Sequence, residues 1–393
     1  MSLFDLPEGL VAERDRVDRS ALLLRAVVPG AAHFALGRRR RGAHLLGYAL
    51  LMILVLTLRG GAVREAMASR DPGDWLAAAF VILSLLGAVA FSVWDAARIV
   101  SDRGRTRSRS PLRIALRRFS ENGLAVLAVY VIVGLYLLAI LAPLLAPYDP
   151  TVIENALETR YLAPSWLHPF GTDEFGRDLF SRALYGARVS LSVGLLAVVV
   201  AITLGTVYGA VAGYFGGWLD GVLMRVVDVI IAFPTFFLML MLVGVFEAGI
   251  VFLVLILGFT SWTGTARFIR GEILSLKERE YIEGARAIGL PSHLIIIRHL
   301  IPAALAPVLV SAALMVGGMV AAEAGLSFLG IGIRPPTPSW GNMLSAGQDA
   351  LLVAWWIAFF PGCLLALTIL SFNLLADGLR DALDPKTLTR KHL

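Results

Sequence analysis

The sequence predicts an all-α, polytopic membrane protein. Hydrophobic residues fill 58% of its 393 positions and charged residues only 16%, a balance too apolar for a soluble chain of this length. The apolar residues gather into eight runs long enough to span a bilayer, and arginines cluster beside alternate run ends, the bias expected of cytoplasmic flanks. The net charge of +6 rests on arginine, since Lys277, Lys386 and Lys391 are the lysines. No aromatic-basic surface accompanies those clusters, so membrane lipid is the expected neighbour and nucleic acid is not. The single cysteine, Cys363, lies in an apolar run as a packing residue. It excludes a disulfide or a cysteine metal site within the chain.

Taken in order, residues 1–20 mix both charge signs without an apolar core and read as a polar cytoplasmic tail, not a cleaved signal. Ala21 to Leu36 is broken by Arg25, Pro29 and His33 and is short for a span, so it reads as an interfacial or re-entrant segment. Gly42 to Leu58 and Trp75 to Val100 cross out and back, completing an N-terminal extension over residues 1–100. Residues 101–121 form a basic cytoplasmic linker carrying Arg103, Arg105, Arg107, Arg109, Arg113, Arg117 and Arg118. Asn122 to Ala146 is the next span, ended by Pro143, Pro147 and Pro150. It opens a segment, 122–187, that includes an external stretch from Asp149 to Arg182. There His168, Asp173, Glu174 and Asp178 have the chemistry of cation ligands, but a turn-rich loop with Arg177 pairing a carboxylate is the preferred reading, and no metal site is expected.

Residues 188–377 hold the main membrane domain. Val189 to Ala212 spans inward to a cytoplasmic link, Gly213 to Asp220. Val222 to Val245 returns, kinked at Pro234, with Arg225 and Asp228 placed to pair at i, i+3. Ile250 to Phe268 and Ala303 to Leu329 flank a polar island. In the second of these, Glu323 is too costly to face lipid and must face protein or a wet cavity. A helix-packing hydrogen bond is the preferred role. With Met315 and Met319 beside Gly317 and Gly318, it makes up the candidate pathway set. Gly332 to Gly347 reads as an external loop with Trp340 at the interface. Leu351 to Leu375 is the last span, and residues 378–393 are a cytoplasmic tail.

The polar island is the centre of the reading. Glu280 to Ile288 forms a short helix with Tyr281, Ala285 and Ile288 on one face and Glu283 and Arg286 pointing away. Gly289 stops it, Pro291 follows, and Ser292 can cap a second short helix. A helix of about eight residues is not stable alone in water, so it must dock.

Glu283-Gly284-Ala285, then Gly289, then Ile301-Pro302 resembles the "EAA" loop of ABC-importer permeases, in which this helix seats in a groove on the ATPase. Three further stretches, His168 to Asp178, Arg334 to Met343 and Asp377 to Pro385, resemble the dipeptide/oligopeptide/nickel branch, as does Arg298-His299. Gly284 replaces the usual Ala, and Ala376 the usual Gly. The likeness covers roughly residues 110–386. It implies a six-helix type I permease core with an extra N-terminal hairpin in a bacterial inner membrane, both termini cytoplasmic. It also implies a second homologous permease, two ATP-binding ATPase subunits and an external solute-binding protein. The coupling residues carried over are Glu280, Glu283, Gly284, Ala285, Arg286, Gly289 and Pro302.

The chain itself lacks an ATP-binding loop, because its lysines follow Leu276, Pro385 and Arg390 and never the glycine of a phosphate cradle. Ser-His-Asp, HExxH and CxxC patterns are missing too, so no enzyme activity and no cofactor are expected. An ion-coupled transporter would need several intramembrane ionisable residues, where Glu323 stands nearly alone. An intramembrane enzyme would need paired polar groups at depth. Di- or oligopeptides are the leading cargo, with nickel chelates or another small solute as the alternative.

Overall fold

In the computed structural model, residues 28–35, 38–68, 72–101, 111–153, 156–246 and 249–383 are described. The expected tail 1–20, most of the basic linker and the stretch after 383 lie outside them. Contacts divide the chain into two units, residues 1–108 with 143–145 and residues 109–142 with 146–393.

The first unit contains α1 (Ala31–Ala35), α2 (Arg39–Leu58), α3 (Gly60–Ala68) and α4 (Pro72–Ser101). Its buried polar groups, among the described residues, include His33, Ser92 and Asp95. His33 is fully buried and its Nε2 lies 3.0 Å from Asp95 Oδ2, which also receives Arg41 at 3.3 Å.

The second unit contains α5 (Pro111–Glu121), α6 (Gly123–Ile140), α7 (Ala142–Leu145, largely assigned to the first unit), α8 (Ala156–Thr159) and α9 (Leu179–Phe215). Next come α10 (Gly217–Ile231), α11 (Thr235–Val245), α12 (Ile250–Leu276), α13 (Glu280–Ala287) and α14 (Ser292–Ile295). A π-helical turn (Ile296–Leu300), α15 (Ile301–Phe328), α16 (Trp340–Asp349) and α17 (Trp356–Leu383) complete it.

Among the described residues, seven helices are long and apolar enough to cross a membrane, and eight spans result if the bent pair α10–α11 counts as one. That pair turns by 82° at the break before Thr235. Pro234 therefore does more than kink a span: it takes the N-cap position of α11, where its fixed φ and missing N–H start a new helix.

α9 is longer than the expected span because Asp178 caps it from outside, accepting from Ser181 N at 2.7 Å. The expected link 213–220 is almost all helix. Only Gly216, with φ +66°, separates α9 from α10. The backbones of α9 and α12 touch along Gly205, Gly209 and Gly213, one helical turn apart. A Cβ at these positions would run into the carbonyl oxygens of Trp262, Ala266 and Arg270. Without a hydrophobic drive between helices in lipid, such close backbone approach is a main source of packing energy.

Two expectations in this unit are corrected. Asp228 pairs with Arg267 of α12 at 2.6 Å, not with Arg225. The neighbouring helix is within reach, and Asp220 likewise takes Arg270 through two bonds of 2.5 and 2.6 Å. Trp340 is not at an interface but fully buried, its Nε1 donating to Ala183 O at 3.1 Å. It opens α16, whose N-terminus is closed by a capping box between Ser339 and Asn342.

Candidate functional site

The polar island builds a docked helix. α13 buries Ile282 (0% exposed) and Ala285 against Ile273 and Leu276 of α12 and Ile295, Ile296 and Leu300 beyond the break. The expected face divides: Ala285 is buried, while Tyr281 is 47% and Ile288 77% exposed, because the helix docks on its own spans through i, i+3 positions and leaves a second apolar ridge outward. Gly284 sits on that outer side with nothing within 4 Å of a Cβ. Glu280 and Glu283 lie in the first turn, where carboxylates favour the helix dipole. Arg286 does not project freely; its guanidinium lies 5.2 Å from the ring centre of Tyr214.

Gly289 ends the helix as the spacing predicts. Its φ is +80°, its N–H reaches Arg286 O at 2.9 Å, and Leu290 N reaches Ala285 O at 3.1 Å, a complete Schellman closure. Ser292 does not cap. Pro291 holds the N-cap position without a side-chain bond, and the Ser292 hydroxyl instead accepts from Tyr214 at 3.3 Å. Lys277 Nζ donates to Gly213 O at 3.2 Å. Tyr214 and Gly213 were missed as site residues; the sequence offers only an aromatic beside a glycine-rich break. After the π turn, which runs into α15 without a break, Pro302 sits in the first turn of α15.

Farther along α12 and α15, a cavity of about 430 Å³ opens between α9, α11, α12 and α15. Met315, Met319 and Met239 line it with Ser261, Thr265 and Phe268, and none of its lining side chains is charged. Ser261 donates to Met319 Sδ at 3.8 Å and Thr265 to Met315 Sδ at 3.7 Å. Glu323 is not among the lining residues. It is fully buried toward α9 and α16, and its Oε1 accepts from Ser327 at 2.7 Å. The hydroxyls of Ser190 and Ser339 stand beside the same carboxyl, though Oε2 closes no direct bond.

The stretch from Asp149 to Arg182 forms a self-contained frame. Asp173 accepts from Phe175 N, Arg177 N and Arg177 Nε at 2.9, 3.0 and 2.7 Å. Asp178 meets His168 Nδ1 at 2.9 Å while capping α9, and Arg182 donates to Pro150 O at 2.8 Å. The carboxylates with ligand chemistry are thus spent on the loop itself, apart from Glu174. The Thr151 hydroxyl holds the Asp149 carboxyl below its ordinary value; burial opposes it, and the backbone N–H groups of Thr151 and Val152 add smaller lowering effects.

Comparison with known proteins adds the family. Residues 205–389 match the binding-protein-dependent transport system inner membrane component, and residues 110–164 match the N-terminal TM domain of oligopeptide transport permease C. The dipeptide transport system permease protein DppC of Bacillus subtilis is 38% identical over 287 residues, 73% of this chain and 89% of that protein. The oligopeptide transport system permease protein OppC of Escherichia coli K12 is 41% identical over 286 residues, 73% and 95% of the two chains. The glutathione transport system permease protein GsiD of Shigella flexneri is 41% identical over 280 residues, 71% and 91%. The exposed, closed-off helix α13, the bent and long spans around it, and these matches lead to one conclusion: the chain belongs to the dipeptide/oligopeptide/nickel family of ABC-importer permeases.

Proposed function

We propose that this chain forms half of the translocation pathway of a peptide importer in a bacterial inner membrane, with both termini cytoplasmic. A second homologous permease forms the other half, an external solute-binding protein delivers the cargo, and two separate ATPase subunits supply the work. Relatives named for dipeptides, oligopeptides and glutathione support a short-peptide cargo. Nickel chelates, which carry their own donor atoms to the metal, are the second reading.

The single observation that carries the proposal is the two-sided character of α13. Its inner face, Ile282 and Ala285, fastens it to α12 and α15, while Tyr281, Gly284 and Ile288 are left outward on a helix too short to be there for its own stability. Closure of the ATPase dimer would push on that ridge, and the docked face would pass the motion to the spans. In the orientation test, Ile288→Cys in a Cys363→Ala background is co-expressed with the ATPase subunits. Zero-length oxidation to a cysteine in the ATPase groove is expected. Crosslinking only to externally added reagent that cannot cross the membrane would overturn the assignment.

A further inference from the structure

The cavity beside Met315 and Met319 has a wall chemistry that bears on what it can hold. Two of its hydroxyls, Ser261 and Thr265, are spent on thioether sulfurs at 3.8 and 3.7 Å, while a third, Ser311, donates to Pro307 O at 3.4 Å. Thioether sulfur is a weak acceptor, so each of the first two hydroxyls can turn to a stronger one at little cost. A peptide carbonyl is such an acceptor. The released methionine keeps its polarizable, three-bond side chain and can refit around whatever lies beside it. Gly264 and Gly318 add room, with nothing within 4 Å of a Cβ at either. The volume of about 430 Å³ lies within the range of small-ligand sites. The lining offers no carboxylate, ammonium, guanidinium or imidazole group to read a charge.

Resting on the importer reading above, we propose that Met315–Thr265 and Met319–Ser261 are paired cargo contacts. Their hydroxyls take the backbone carbonyls of a short peptide, and their thioethers take its side chains. This half of the pathway therefore passes acidic, neutral and basic peptides alike.

The test introduces the missing charge. The complete assembly is reconstituted in proteoliposomes with its binding protein saturated, and ATP-dependent uptake of acidic, neutral and basic tripeptides is compared with the parent protein, peptide by peptide. Met319→Glu should lower acidic relative to basic uptake by about tenfold, and Met319→Lys should reverse the preference, because like charges brought together in a low-dielectric site are strongly unfavourable. If a charged variant does not accumulate, Met319→Cys in a Cys363→Ala background, labelled after assembly with an anionic or a cationic thiol reagent, delivers the same charges to folded protein. Charge ratios that neither sign of charge alters would overturn this inference while leaving the importer intact. A parent assembly with no ATP-dependent peptide uptake would instead overturn the function on which it rests.

Discussion

Ile282→Ala tests the load path proposed for α13 apart from the rest of the molecule. Ile282 is fully buried between α13 and the ends of α12 and α15. Truncation removes about three methylene equivalents, and at roughly 0.8 kcal/mol each the transfer loss is about 2.4 kcal/mol. A residual cavity adds to this, up to a total of about 5 kcal/mol. Even the transfer loss alone shifts the docking equilibrium by roughly fiftyfold, since about 1.4 kcal/mol is a factor of ten. Because α13 cannot persist as a free helix, undocking is local unfolding, and force applied to it would be lost. The assay measures ATP turnover and peptide uptake on the same proteoliposomes. Uptake should drop severalfold per ATP hydrolysed, while the thermal midpoint of the spans moves little. Tight coupling retained alongside unchanged hydrogen-exchange protection across residues 280–290 would refute the reasoning.

Other consequences concern neighbouring positions. Gly289→Ala meets no heavy atom within 4 Å but must hold a φ of +80°, so it should cost about 1–2 kcal/mol as pure backbone strain and reduce coupling without reducing membrane level. Gly209→Leu places a side chain against Ala266 O at the tightest α9–α12 approach, and immunoblots of membranes should show little accumulated protein; normal accumulation would disprove the packing account. Glu323→Leu strips the acceptor from Ser327 and should cost about 1–3 kcal/mol for each buried donor left unpaired, read as a lower melting midpoint in detergent, with Glu323→Gln falling between the two.

The span pattern, the stop at Gly289 and the frame around Arg177 were legible because each is set by local chemistry: an apolar run, a left-handed residue, a carboxylate four positions from an arginine. The rest failed where a distant element intervenes. Periodicity alone could not tell which apolar stripe of α13 faces the protein, since the helix has one stripe docked inward and another exposed. Asp228 had a local partner in Arg225, and only the fold brings Arg267 within 2.6 Å. Trp340 has the surroundings of an interface residue, and its burial depends on Ala183, 157 positions away. The cavity, too, is invisible in sequence, because its lining comes from four helices.

The carboxyl at Glu323 has a consequence for how the segments around it can change. Ser327 accepts from Ile333 N, Ser190 from Trp340 N and Ser339 from Asn342 N, at 2.9, 3.3 and 3.2 Å. Each serine oxygen thus receives one amide proton and has a single proton of its own to give, and the same acid stands beside all three. Losing any one participant orphans groups on two or three separate segments. Evolution cannot dismantle such a knot one substitution at a time without passing through weakened ancestors, so the knot should be inherited whole or replaced whole.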